Sequence, residues 1–171
     1  MITDKDILEI KINPTLLAIA KERASAFKMN KYTQSNNIDS RIAGFLAEEI
    51  FYANFEGEKV ADSNYKCDII HSKLGCIDLK TKRCKSRPLI SYECSVSAYQ
   101  LEKIKSDYLM FCRCDYEFNY VWFLGLIKSD EFVSKSKLMK AGDRDGRFVC
   151  KTDMYQLPIS ELYNFSELLY S

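Results

Sequence analysis

Apolar positions along the chain change period several times, and each change marks an element. Between residues 5 and 28, Ile7, Leu8, Leu16, Leu17, Ile19 and Ala20 recur at spacings that predict helix, with Pro14 opening a second helix at its first turn and Arg23 and Lys28 toward the end. A polar stretch, NKYTQSNN, separates this segment from a helix predicted over residues 39–55, which begins at capping residues and stops at Gly57. The period then falls to two. YKCDIIHS and GCIDLKTKR, joined by a turn over residues 73–75, predict a hairpin, and LISYECSVS predicts a third strand running into a helical segment, SAYQLEKIKSD. DYLMFCRCDY and NYVWFLGLI predict a second hairpin with its turn near residues 117–119.

Beyond it, SDEFVSKSKLMKAG has the pattern of an amphipathic helix closed by Gly142. The turn DRDG, a strand pair FVCKT and MYQLP, and a last helical turn in ELYNFSELLY complete the chain. With no repeat or linker in its 171 residues, the chain is expected to form one domain, 1–171. An N-terminal helical segment, 1–37, would precede a core at about 38–127, with helix and strands over 128–171. The fold class is α/β with a mixed central β-sheet flanked by α-helices.

Composition narrows the function by exclusion. The chain is 47% hydrophobic and 29% charged, with six Gly and three Pro, which is the make-up of a packed domain and not of a disordered or low-complexity chain. Twenty-five basic residues against 24 acidic ones leave a net charge of +1, so contact with a polyanion would depend on a local patch. Apolar runs are broken well before the roughly 18 residues of a membrane span, and MITDKDILEIK has no secretory pattern, so a soluble cytoplasmic protein is expected. Seven cysteines at irregular spacing with no CxxC predict buried thiols, Cys112 and Cys114 included, and not a disulfide framework or a zinc site. The single His71 rules out a His-rich metal site.

Chemistry concentrates in the first hairpin. Residues two apart on a strand share a face, so Asp78 and Lys80 project together while Ile77 and Leu79 point into the core. Pairing across the hairpin can bring Asp68 beside Asp78, and two facing carboxylates repel unless a cation lies between them. A hard divalent ion such as Mg²⁺ suits such oxygen ligands and leaves room for water and a phosphate. A lysine held there can position or deprotonate an attacking water and stabilise charge on phosphorus oxygens. The plain alternative is an exposed hairpin face with a cross-strand ion pair.

The ordered set, an acidic helix followed by Asp68 and then Asp78-Leu79-Lys80 after nine intervening residues, resembles the PD-(D/E)xK nuclease superfamily over about residues 38–127. Asp68 matches the first acid of the motif, and Cys67 stands where its proline would be. The resemblance implies a restriction endonuclease-like core and hydrolysis of DNA phosphodiester bonds. It assigns catalysis to Glu48, Asp68, Asp78 and Lys80. Mg²⁺, for which Mn²⁺ would substitute, would be held by Glu48, Asp68, Asp78 and the Leu79 carbonyl.

The helix acid is read from AEEIF, where Glu48 lies on a stripe with Gly44, Ala47, Phe51 and Phe55, while Glu49 lies on a second stripe with Ile42, Phe45 and Leu46. Glu48 is favoured and Glu49 stays open. Gln100, on the helix after the third strand, is the supporting polar residue the resemblance implies. Lys82, Arg83, Lys85 and Arg87 form a basic run leading from the site, suited to backbone phosphates or, on the plainer reading, to solvent. A homodimer would suit cleavage of both strands. The rival readings are a non-catalytic DNA-binding accessory protein and an RNA-directed nuclease. Asp143-Arg-Asp-Gly lacks the remaining ligands of a calcium loop and reads as a surface turn.

Overall fold

The computed structural model describes residues 2–27, 37–61, 66–146 and 148–166. The polar stretch NKYTQSNN lies outside them up to residue 36, as do Tyr65 and the end of the last helical turn. After a 3-10 turn at Asp4–Asp6, the elements run β1 (Leu8–Lys11), α1 (Pro14–Ala26), α2 (Ile38–Asn54), β2 (Glu58–Lys59), β3 (Ile69–His71) and β4 (Gly75–Cys84). There follow β5 (Glu93–Ser97), α3 (Ala98–Leu101), β6 (Tyr108–Asp115), β7 (Tyr120–Lys128) and α4 (Ser129–Lys135). The chain continues through β8 (Lys137–Met139), β9 (Arg144–Asp145), β10 (Phe148–Val149) and β11 (Met154–Pro158).

Six strands form the central mixed sheet in the order β1-β7-β6-β4-β3-β2, with β4 and β6 parallel and the other pairs antiparallel. Helices α1 and α2 cover one face. Each is started by an asparagine side chain that accepts a backbone N–H of the first turn, Asn13 from Thr15 and Asn37 from Asp39, and Pro14 fits the first turn because its missing donor is not needed there. The apolar side of α2, with Leu46, Ile50 and Phe51 fully buried, packs on Ile77, Leu79, Met110 and Phe123 of the sheet. Each such side chain removed from water contributes about 2 kcal/mol. On the opposite face, Leu109, Phe111, Trp122 and Leu124 are covered by α4 and by a second sheet of order β5-β11-β8.

Several expected elements take another form. Residues 8–11 are a strand and not part of a helix. Leu8 and Ile10 face the helix-side core, while Glu9 pairs with Trp122, so the period is two, and the edge beside β7 settles the conformation. LISYECSVS contributes only its last five residues as β5, and these join the second sheet. The helix expected after it is the single turn α3, and the helix expected over residues 129–142 ends at Lys135, where Lys137–Met139 pairs with β11. The strands FVCKT and MYQLP do not pair with each other: β10 returns on β9 across Gly146, at φ +57°, and β11 lies between β5 and β8. Within DRDG, Arg144 and Asp145 are thus strand, and the turn expected over all four residues begins only at Gly146. The C-terminal segment makes a 3-10 turn at Ile159–Glu161 before reaching Tyr163.

Gly125 fixes how that segment closes the core. Phe111 pairs with Gly125 but Cys112 with Phe123, so Leu124 is an extra residue that bulges β7. At the bulge Leu126 and Tyr163 exchange backbone hydrogen bonds of 3.2 and 2.8 Å. A Cβ on Gly125 would lie 2.7 Å from the Tyr163 carbonyl oxygen and 2.9 Å from the Leu162 Cβ. Gly125→Ala is therefore expected to lower the free energy of unfolding by about 2 kcal/mol, measured by urea denaturation. A change within error would show that the segment is not held against β7.

Candidate functional site

The alternation on β4 sorts its residues as expected. Ile77 and Leu79 are buried on the helix side, and Asp78, Lys80 and Lys82 stand on the other face. The β3–β4 register pairs Ile69 with Ile77, so Asp68, one residue before β3, comes opposite Asp78. It is anchored there: its backbone N–H donates to the Ile77 carbonyl at 2.9 Å, and its Oδ2 accepts the Leu79 N–H at 2.7 Å. Its carbonyl accepts the Tyr52 hydroxyl at 2.5 Å. The Lys80 ammonium lies 3.0 and 2.8 Å from the two carboxylate oxygens of Asp78, with both side chains mostly buried.

These contacts set the electrostatics. Burial, then the charges of Asp78 and Glu48, push the Asp68 carboxyl well above the usual carboxylate range, against a smaller lowering by Lys80. Burial works to lower the Lys80 pKa, but Asp78 and Asp68 outweigh it and hold the ammonium above its ordinary value. A lysine of depressed pKa is thus not what these contacts make. Tyr52 is raised as well, first by burial and then by Glu48.

Glu48 is therefore the helix acid whose charge reaches Asp68. It does not stand alone: the Arg23 guanidinium donates to Glu48 Oε2 and Glu49 Oε1 at 2.7 Å each while lying over the Phe45 ring at 4.3 Å. Glu49 is the more deeply buried of the two and also takes the Lys59 ammonium at 2.6 Å.

The basic run divides by strand alternation. Arg83 turns to the helix side, donates to Asp39 at 2.9 Å and to the Tyr116 carbonyl, and lies between the Tyr116 and Phe118 rings, each 4.9 Å away. Arg87 is bound to Glu9 and to the carbonyls of Asp4 and Ile7. Both hold the fold, whereas Lys82 and Lys85 are exposed. Lys82 donates to the Ser95 hydroxyl. Gln100 sits on α3, its N–H on the Ser97 hydroxyl at 3.2 Å, and its side chain makes no hydrogen bond to Asp68, Asp78 or Lys80. His71 is a structural group whose Nδ1 accepts the N–H groups of Lys73 and Leu74 in the hairpin turn.

All seven cysteines are free thiols. The Cys67 thiol is pushed up to about 12 by burial first and then by Cys76, Asp68 and Asp78. The chain matches no protein-family model and no curated protein sequence.

The residues the sequence reading passed over as site residues are Arg23, Tyr52 and Arg113. Tyr52 was legible in principle, because it follows Glu48 by four residues and so shares its helix face. Arg23 had no local signal, since it meets the acids only once α1 packs on α2.

For hard divalent ions the donor set fits in kind, with carboxylates on Asp68, Asp78 and Glu48 and the Leu79 carbonyl on the strand between them. Among the described residues, however, no three His, Cys, Asp or Glu side chains are drawn together as a ligand group. Asp78 faces Lys80 and Glu48 faces Arg23.

A carboxyl held above its unfolded value contributes its full linked stability below about pH 4 and loses it as pH rises through the folded value. In chelator, wild-type stability should therefore fall relative to Asp68→Asn, which keeps an acceptor for the Leu79 N–H, as pH rises above about 4. Parallel stability curves would refute the crowding of charge at Asp68. Arg23→Met removes the cation that bridges Glu48 and Glu49 and should cost about 3 kcal/mol in the same denaturation assay; a cost near zero would mean the acids do not need it.

Proposed function

We propose that the protein is a metal-dependent nuclease that hydrolyses phosphodiester bonds of DNA, with a restriction endonuclease-like PD-(D/E)xK core. The observation that carries this reading is the approach of Asp68 to Asp78 at the open end of the hairpin, with Lys80 beside them and the Glu48 charge acting on Asp68. Burying Asp68 within reach of the Asp78 and Glu48 charges costs stability, and it is reasonable in a protein that uses it. The same reading takes DNA as the partner and, where both strands are to be cut, a second copy of the chain. It places the work in the cytoplasm, and among the described residues no helix is long and apolar enough to cross a membrane.

Asp68, Asp78, the Leu79 carbonyl and Glu48 would hold Mg²⁺. Bound there, it would polarise the phosphodiester and make a water molecule more acidic. The residues of the chain supply the rest. Asp68 is held by its bonds to Ile77, Leu79 and Tyr52 and so presents its second carboxylate oxygen in a fixed direction. Lys80, kept protonated by the two aspartates, stabilises the negative charge that builds on the phosphate oxygens and orients the attacking water. For it to remove a proton instead, the charge on Asp78 must first be taken up elsewhere. Arg23 directs Glu48 by a charged hydrogen bond.

One observation favours the rival, a DNA-binding accessory protein without catalysis: the pairing of both Asp78 and Glu48 with cations of the chain itself. Cleavage of a panel of duplex, single-stranded and branched DNA, and of RNA, in Mg²⁺ or Mn²⁺ separates the readings. The wild type should cut DNA, and Asp78→Ala and Lys80→Ala should each lose at least about a hundredfold in rate. Undiminished cleavage by both variants removes these residues from the chemistry, and cleavage confined to RNA transfers the reading to an RNA-directed enzyme. Tight DNA binding without cleavage in either metal ion establishes the accessory protein.

A further inference from the structure

Among the described residues, two cations next to the proposed site have no carboxylate partner. Lys82 on β4 and Arg113 on β6 are register neighbours on parallel strands, and alternation puts both on the face that carries Asp78 and Lys80. The other cations with fixed positions around the site each meet a carboxylate: Arg23 has Glu48 and Glu49, Lys59 has Glu49, Lys80 has Asp78, Arg83 has Asp39 and Arg87 has Glu9. No carboxylate of the described residues pairs with Lys82 or Arg113. Their bonds go to neutral groups of β5, Lys82 to the Ser95 hydroxyl and Arg113 to the Glu93 carbonyl at 2.6 Å.

We propose that Lys82, Arg113 and Ser95 form a phosphate-binding site, occupied, on the nuclease reading above, by a backbone phosphate of the nucleic-acid strand adjoining the one cut at Lys80. The donors suit that ligand. Lys82 gives its bond to the oxygen of Ser95, so the Ser95 hydroxyl proton is left to point outward. The ammonium retains further protons, and the guanidinium of Arg113 keeps a second edge beyond the one used on Glu93. Together they offer a tetrahedral anion donors from three directions, which a single carboxylate would not fill.

Electrostatics agree with the geometry. The neighbouring Arg113 repels the Lys82 ammonium, a strain that an anion between the two cations relieves. Lys82 follows Lys80 on the same face by one strand repeat, about 7 Å, so the two lysines can serve successive groups of one extended backbone. The exposure of Lys82 leaves the place open to solvent.

The test uses the full chain, ¹⁵N-labelled, in chelator so that no cleavage occurs. The Arg113 Nε–Hε resonance, identified by its loss in Arg113→Lys, is followed during titration with inorganic phosphate and, separately, with a single-stranded oligodeoxynucleotide, with chloride held constant. Both titrations should shift it saturably. Lys82→Gln should weaken both by roughly tenfold, as expected for loss of one charged hydrogen bond. For the oligonucleotide it should also reduce the slope of log affinity against log salt by about 0.7. The melting temperature and Trp122 fluorescence confirm that the variant is folded.

An unmoved Arg113 resonance, or equal affinities for wild type and Lys82→Gln, overturns the proposal and leaves two solvated cations. A response to inorganic phosphate alone keeps the anion site but removes the nucleic acid from it. Mg²⁺-dependent cleavage with no response at Arg113 does the reverse, preserving the nuclease and removing the site.

Discussion

Ionised side chains in the middle of a sheet must find partners or water, because isolated burial of a charge costs several kcal/mol or more. Strand β4 carries Asp78, Lys80 and Lys82 on one face while lying between β3 and β6, and much of the surrounding architecture answers to that constraint. Asp78 and Lys80 neutralise each other along the strand. Lys82 and its neighbour Arg113 are met by the hydroxyl and carbonyl of β5, which stands outside the main sheet and across from this face. An apolar cover such as that over Leu109 and Phe111 could not have served there. The second sheet therefore does two things, closing the apolar end of the face through Cys94 and Val96 and supplying polar groups at the charged end.

The helix side faces the same problem with the opposite sign. Glu48 and Glu49 are consecutive and both largely buried, so their charges cannot both be turned to water from one turn of α2. Arg23 resolves this by bridging them from α1, with its flat cation resting on Phe45. The acids of the hairpin receive less compensation. Asp68 is surrounded by Asp78 and Glu48 and has the weaker influence of Lys80 against them. The balance of charge is thus nearly closed on the α1–α2 side and open at Asp68, and the open position is the one with the widest chemical reach.

Local pattern disclosed the parts that local physics controls. The α2 helix, both hairpins and the two-residue spacing of Asp78 and Lys80 follow from period, capping and turn signals within a few residues. So did the facing of Asp68 and Asp78, which follows from a single hairpin register. The failures were tertiary. Glu9 alternates with Leu8 and Ile10 in a segment too short to be told from helix, and its strand character depends on β7, more than a hundred residues away. Lys137–Met139 continued a helical pattern by composition, and only β11 makes it a strand. The basic run was read as one surface, yet Arg83 and Lys82 are adjacent on a strand and so point to opposite faces. Arg113, in a run of apolar and Cys residues, had no charged neighbour in sequence to draw attention to it.

The outermost position of β1 has a consequence for how the molecule assembles. Its ladder joins Leu8–Lys11 to residues 120–123, and Trp122 donates to Glu9 at 2.7 Å across that join. As the chain leaves the ribosome, α1, α2 and the first hairpin can meet early, but the first strand must wait until β7 has been made and has turned back on β6. Until then Leu8 and Ile10 lie exposed beside an unfilled sheet edge. The parallel pairing of β4 with β6 is delayed for the same reason, since the whole of β5 and α3 intervenes. The charged face of β4 is thus enclosed late, once β6 and the layer that covers that face have been made.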